Sequence, residues 1–391
     1  MTDHDPLGPG RPPLEQPLPV EPMDTPEPPR TEPRPRVDPW TVILGIFGGV
    51  LLGTGVTFAV LGLTGVFTEP TTPTLPPPPE LTIPPPAPPP TFGDVVSATD
   101  VASRVIPSTV AVEVFSLLGG GSGSGVVYGE EGYLITNDHV VAGAEEVFVV
   151  FSDGARYQAE IVGTDPLTDL AVLKVDRPDL VPIAIGSSDD LAIGEPAIAV
   201  GNPLGLEGGP TVTMGIVSAL DRSLAVSSGS TLFGLIQTDA PIAPGSSGGA
   251  LVDAAGRLIG ITTAIAVSDV GAEGLGFAVP IDLVIGVAND LIERGEVQHA
   301  LLGIQGDTVW AEEGVAQYPV GVGVIGFPPD SAYEAAGGEI NDVIVELNGA
   351  EVRTIEELLA RLRRLRAGDQ AEVRILRSDS EQILTVTLGR R

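Results

Sequence analysis

The chain has 391 residues, a formal net charge of -32 and no cysteine. That charge repels phosphate backbones, so nucleic acid is set aside as a partner, and without thiols neither disulfides nor thiolate chemistry is available. Histidine occurs only at His4, His139 and His299, which excludes a histidine-rich metal centre, and no cofactor or metal site is expected.

Residues 1–39 are rich in proline and acid and poor in aliphatic clusters. Such a segment buries too little apolar surface to offset its ordering entropy, so a disordered tail is expected. Residues 41–67 carry no charge. As a helix they would run roughly 40 Å, against ~30 Å for a bilayer core, which predicts one transmembrane helix over 40–67. Arg30, Arg34 and Arg36 precede it and Glu69 and Glu80 follow it, which puts the tail in the cytoplasm and the rest of the chain outside. Gly45, Gly49 and Gly53 give the span a small-residue stripe of the kind that lets helices approach. Residues 68–96 read as a proline-rich, semi-rigid linker.

From 97 the pattern changes. A short helix is predicted over 100–106, stopped by Pro107. Many brief apolar runs follow: 110–115, 125–128, 133–136, 146–151, 159–162, 171–175, 196–200, 215–219, 235–238, 250–252, 258–263 and 276–279. Turn signals separate them, which argues for an all-β barrel or sandwich. Gly119 to Gly125 read as a turn leading into a strand. Apolar positions at helical spacing from Ile281 to Ile292 predict a helix closed by Gly295. From about 300 a smaller α+β module is expected, with Thr354 and Glu357 forming a capping box for a helix over 355–366. Glu357 and Arg361 are placed to pair across one turn, Gly368 closes the helix, and Arg361, Arg363, Arg364 and Arg366 read as a solvated face.

Three phrases carry chemistry. Ser247 lies in Gly245-Ser246-Ser247-Gly248-Gly249, where glycines permit a tight turn and close approach of a substrate. The amides of Gly245 and Ser247 are then available as an oxyanion hole. His139 lies in Thr136-Asn137-Asp138-His139-Val140-Val141, and imidazole titrates where a general base is needed. Asp169 lies in Thr168-Asp169-Leu170-Ala171-Val172, just before an apolar strand that can bury it. Asp138 and Asp165 are rival carboxylates. A serine hydroxyl needs a base, and the base a carboxylate, so His139, Asp169 and Ser247 are the candidate catalytic set.

These phrases, with Gly123-Ser124-Gly125, Gly201-Asn202-Pro203, Gly215-Ile216-Val217-Ser218-Ala219, Gln237-Thr238-Asp239-Ala240 and Gly276-Phe277-Ala278-Val279-Pro280, resemble the HtrA/Deg-type serine proteases with one PDZ domain. The resemblance implies a mainly β fold: a chymotrypsin-like double β-barrel over 97–295 and a PDZ domain over 296–391. It also implies homotrimers that cleave unfolded or damaged proteins without ATP. Leu301, Leu302, Gly303 and Ile304 match the loop whose amides bind a C-terminal peptide carboxylate. Residues 221–231 match an activation-sensing loop. Residues 265–275 match a loop beside the specificity pocket, and their small and aliphatic side chains suggest cleavage after valine or alanine. The chain departs from the family at Ala243, Ser246 and Ala250, at Asn341 where glycine is usual, and in having only 116–121 where some members carry a long loop. An alternative reading is a catalytically silent PDZ scaffold or holdase on the same fold.

Overall fold

Each apolar run read from the sequence becomes a strand, and the strands close into two barrels. The computed structural model describes residues 97–391 except 118, 203–208, 227–229, 266–274, 314 and 379. These belong to one unit, Pro90–Arg391. The acidic tail, the apolar span and the linker expected before residue 97 lie outside the described residues. Among the described residues no helix is long and apolar enough to cross a membrane.

Helix α1 (Ala98–Val105) is capped by the Ser97 side chain, which accepts from the Asp100 amide, and it buries Val101 and Val105 one turn apart. Six strands follow: β1 (Thr109–Ser116), β2 (Gly119–Val127), β3 (Tyr133–Thr136), β4 (Glu146–Val150), β5 (Arg156–Asp165) and β6 (Leu170–Lys174). They close in the order β1-β2-β3-β6-β5-β4, with the one-turn helix α2 (Asp138–Val141) after β3. A second closed barrel, in the order β10-β11-β12-β9-β8-β7, uses β7 (Pro196–Gly201), β8 (Thr211–Ala225), β9 (Thr231–Thr238), β10 (Ala250–Val252), β11 (Leu258–Ile265) and β12 (Gly276–Pro280). Closure removes the free edges that an open sheet of this size would expose. Helix α3 (Ile281–Arg294) follows and ends where Gly295 turns left-handed at φ 74°, its amide bonded to Leu291 O.

The two barrels share a core. One apolar cluster runs from Val126, Ile135 and Leu170 of the first barrel to Ile198, Leu235 and Ile261 of the second, and on to Val284 and Leu291 of α3. Burying a side chain of this size contributes about 1.5–3 kcal/mol, so the seam is held as firmly as either barrel interior.

One expectation fails here. Gly119 to Gly125 are not a turn: they form most of β2, paired residue for residue with β1 from Ser116↔Gly119 to Thr109↔Val126. Glycine's weak strand preference is overridden because β1 supplies a complete partner ladder.

The last module is a six-stranded sheet with its own core. It contains β13 (Ala300–Leu301), β14 (Gln305–Glu313), β15 (Ala316–Gly326), α4 (Ala332–Ala335), β16 (Val343–Leu347), β17 (Ala350–Glu351), α5 (Ile355–Arg363), β18 (Gln370–Arg377), β19 (Ser380–Thr387) and β20 (Gly389–Arg390). The main sheet runs β14-β15-β16-β18-β19 with β17 beside β16, while β13 pairs with β20. Val322, Ile344, Leu358, Val373 and Val386 are among its buried core. Asn341 stands at φ 74°, so the position does require the left-handed conformation, which asparagine tolerates better than most residues.

Helix α5 is capped as expected, with Thr354 accepting from the Glu357 amide, but it stops at Arg363. Glu357 does not pair with Arg361. Its carboxylate accepts from the Arg353 amide at 2.7 Å, and Arg361 donates to the Glu351 carbonyl at 2.9 Å. The arginine face is solvated only in part. Arg363 is buried, Arg364 reaches Asp189 at 2.6 Å, and Arg366 reaches Asp290 at 2.7 Å. The cause is packing of α5 on β9, where Gly234 leaves room for Ala360: a Cβ on Gly234 would stand 3.2 Å from the Ala360 Cβ.

Candidate active site

His139 sits in α2, directly after β3. Asp169 ends the turn between β5 and β6. Ser247 lies in the loop before β10. The fold brings His139 and Ser247 to one cleft of about 490 Å³, lined also by Gly245 and by Gly119, Gly120 and Gly121 of β2, and Asp169 bonds the His139 ring without lining that cleft.

Asp169 adopts φ 57°, a left-handed conformation that short polar side chains tolerate. Its carboxylate accepts from His139 Nδ1 at 2.8 Å and from the His139 amide at 3.1 Å. Thr263 Oγ1 also donates to it. Asn137 Nδ2 donates to the Asp169 carbonyl at 2.7 Å. The carboxylate therefore fixes the imidazole with Nδ1 protonated and Nε2 free to face the cleft. The His139 side chain is 51% exposed against 12% for Asp169, which suits a ring that meets substrate and a carboxylate that does not. Partial burial pulls the His139 pKa down, but the hydrogen bond to Asp169 and the charges of Asp169 and Asp138 outweigh it, leaving it raised.

The rival carboxylates are elsewhere. Asp165 is buried against His299 Nε2 at 2.9 Å and holds its own turn through the Thr168 hydroxyl and the Leu167 amide. Asp138 lies beside the ring without a bond to it, and its own pKa is raised chiefly by burial.

The serine loop is shaped by sterics. Gly245 and Gly248 stand at φ 90° and 86°. A Cβ on Gly248 would collide with Ser124 O and Thr136 Oγ1, and one on Gly249 would stand 2.6 Å from Val200 O. Ser124 ties the loop to β2: its amide donates to Ser247 O at 2.7 Å and its hydroxyl donates to Gly245 O at 2.8 Å. The amides of Ser246, Gly248 and Gly249 are all spent on Ala243, Thr262 and Ser246 carbonyls. Those of Gly245 and Ser247 have no acceptor among the described residues. Below the loop, Ala243 and Ser246 line a second cavity of about 120 Å³.

Ser247 Oγ donates to the Thr263 carbonyl at 2.8 Å, and no hydrogen bond joins it to the His139 ring. Thr263 thus touches both Asp169 and Ser247. Neither Thr263 nor Ser124 was singled out from the sequence as a partner of the site, and only the GSG phrase hinted at the second.

In the last module, the carbonyls of Leu302 and Gly303 are tied back by the Tyr333 amide at 2.9 Å and the Ser331 hydroxyl at 2.5 Å. The amides of Leu302, Gly303 and Ile304 have no acceptor among the described residues. Leu302 is buried, Leu301 is exposed and Gly303 is left-handed at φ 77°. Next to this loop, β14 is an edge strand, and the Ile355 amide of α5 donates to Thr308 Oγ1 at 3.1 Å.

Known proteins agree with this architecture. Residues 123–261 match the trypsin-like peptidase domain and 292–388 the PDZ domain. The chain is 40% identical over 276 residues to the periplasmic pH-dependent serine endoprotease DegQ of Escherichia coli, covering 68% of this chain and 59% of DegQ. It is 38% identical over 283 residues to the chloroplastic Protease Do-like 1 of Arabidopsis thaliana, covering 68% and 63%. It is 38% identical over 288 residues to the serine protease Do-like HtrA of Bacillus subtilis, covering 69% and 64%. The chain therefore spans between about half and two thirds of the length of these curated relatives. Among solved structures, the HtrA-type protease AlgW with a tripeptide superposes with a TM-score of 0.64 at 38% identity, covering 75% of this chain and 97% of that one. With the motifs, the paired barrels and the appended sheet all in agreement, the chain belongs to the HtrA family of trypsin-like serine proteases carrying a PDZ domain.

Proposed function

We propose that the chain is a serine endopeptidase that cleaves unfolded or damaged proteins outside the cytoplasm. The observation that carries this reading is the bond between His139 Nδ1 and Asp169 at 2.8 Å beside Ser247 in one cleft. In this reading Ser247 Oγ leaves the Thr263 carbonyl, turns to His139 Nε2 and gives it a proton. It then attacks a peptide carbonyl carbon. The amides of Gly245 and Ser247 hold the resulting oxyanion, a contribution commonly worth about 3–4 kcal/mol per donor. His139 passes the proton to the leaving nitrogen, the C–N bond breaks, and water resolves the acyl-enzyme by the same path. Ile242, whose side chain lies over Gly276, suits an apolar specificity pocket and cleavage after valine or alanine.

The test compares the full-length chain with Ser247→Ala on unfolded casein: the first is expected to degrade it and the second to leave it intact. Equal rates would overturn the reading. The parked Ser247 hydroxyl favours a second reading, a silent scaffold or holdase. A fluorophosphonate probe separates the two, because it labels only a serine that His139 can activate.

The segment over 40–67 supports anchoring by one helix with the catalytic part outside the cytoplasm. Retention in membranes after a carbonate wash, and loss of retention on deleting 40–67, is the expected result. The PDZ groove, with its free amides at Leu302, Gly303 and Ile304, suits C-terminal peptides, and family resemblance supports a homotrimer.

A further inference from the structure

Two buried hydroxyls reach the nucleophile loop from opposite barrels. Ser124 of β2 is fully buried, and its Oγ donates to Gly245 O at 2.8 Å. Thr262 of β11 is 1% exposed, and its Oγ1 donates to Ser246 O at 2.6 Å. Neither lines the cleft with His139 and Ser247. Each instead holds one carbonyl of the loop, and a carbonyl is rigidly coupled to the amide that follows it. A peptide unit is planar and trans, so its N–H points opposite to its C=O.

The unit joining Ser246 to Ser247 has its carbonyl held twice, by Thr262 Oγ1 and by the Gly249 amide at 3.0 Å. Its N–H is the Ser247 amide, which therefore aims away from Thr262. The unit joining Gly245 to Ser246 is held at both ends. Ser124 Oγ donates to its carbonyl, and its N–H donates to Ala243 O at 2.9 Å. Only the two torsions of Gly245, the first at φ 90°, lie between that held unit and the Gly245 N–H.

Packing alone does not ask for hydroxyls here. Valine would fill the Thr262 site with nearly the same shape and no polar group to desolvate, so what threonine adds is the bond to Ser246 O. Ser124 adds more. Its Oγ also accepts from the Asn202 amide at 2.8 Å, and its carbonyl accepts from Thr136 Oγ1 at 2.7 Å, three residues before His139. Gly201 leaves room for this junction: a Cβ there would stand 3.1 Å from both Ser124 Oγ and Ser246 Cα.

We propose that Ser124 and Thr262 are positioning residues for the oxyanion hole, their hydroxyls fixing the two peptide units that aim the Gly245 and Ser247 amides. The inference rests on the protease reading above and deepens it. Neither side chain meets substrate. Their effect falls on the transition state, because only there does the substrate oxygen carry the charge that the two amides hold. Loss of either hydroxyl frees a peptide unit to tilt, which lowers kcat and leaves KM.

The experiment uses the full-length chain, an internally quenched peptide and a peptidyl trifluoromethyl ketone of the same sequence. Ser247 Oγ adds to the ketone carbon, its proton passes to His139, and the ketone oxygen becomes an oxyanion facing the same two amides. Thr262→Val and Ser124→Ala are each expected to lower kcat by about tenfold or more with KM changed by less than about twofold. The ketone is expected to weaken by the same factor as kcat/KM. Thr262→Ser, which keeps the hydroxyl, is expected to recover most of both. Unchanged kcat in either Thr262→Val or Ser124→Ala overturns the proposal. So does a loss in Thr262→Ser equal to that in Thr262→Val, or a ketone affinity that does not follow kcat/KM, because each marks a packing role alone. If Thr262→Val shows no cooperative urea transition, Ser124→Ala decides by the same kcat, KM and ketone criteria. Neither cleavage nor a ketone adduct with the unaltered chain overturns the protease reading, and the positioning role with it.

Discussion

His139 is the residue on which opposing influences meet. Burial favours the neutral ring, while Asp169 and Asp138 favour the charged one and prevail, so its pKa is raised above the ordinary value. Only the neutral ring can take the Ser247 proton. kcat/KM is therefore expected to fall on acidification with a midpoint above ~6.5, the unperturbed imidazole value. Asp138→Asn removes one of the raising charges without touching the ring and is expected to move the midpoint down. A pH profile of peptide-amide hydrolysis for both proteins checks this, and a flat rate from about pH 5 to 8 would rule His139 out as base. The triad candidates were readable from sequence because each sits in a phrase that restricts its neighbours. Thr263 was not, since a hydroxyl in an apolar strand carries no sign that it faces a carboxylate from another barrel.

At the scale of elements, the turn between β5 and β6 is set from two sides. Asp165 bonds Thr168 within the turn and His299 from beyond α3, and the next residue after Thr168 is Asp169. Both side chains of the His299–Asp165 pair are almost fully buried. Burial raises the Asp165 pKa, but His299 and Thr168 outweigh it and leave it lowered. A carboxylate with a depressed folded pKa stabilises the fold above its unfolded value of ~3.9, and that share is lost as pH falls through the folded value. Removing the partner strands a buried charge, so His299→Ala is expected to cost about 3–5 kcal/mol in urea unfolding near neutral pH. His299→Gln, which can still donate to Asp165, is expected to recover part of it. A loss under about 1 kcal/mol would show that water replaces the imidazole. Nothing in the local sequence around His299 or Asp165 foretold their pairing. Strand β2 shows the same limit: seven residues of glycine and serine have no strand signature, and their partner ladder alone makes them a strand.

At the scale of the molecule, a run of β-strands followed by a smaller module was legible because hydrophobic alternation and turn residues are local signals that repeat along the chain, whereas the double barrel was implied only by the family resemblance. Closing those runs into two barrels with a shared core gives each strand a buried face. How the last module sits on the second barrel was not legible. The arginines of and after α5 have the periodicity of a wet helix face, yet Arg364 finds Asp189 in the connection before β7 and Arg366 finds Asp290 of α3. By itself the sequence determined most of the element types, the candidate set His139, Asp169 and Ser247, and the resemblance to the family. Tertiary structure alone decided that Ser247 rests on Thr263 and that Ser124 clamps the nucleophile loop. The reason is that local pattern specifies which face of an element seeks burial, whereas the partner it meets there depends on contacts between residues far apart in the chain.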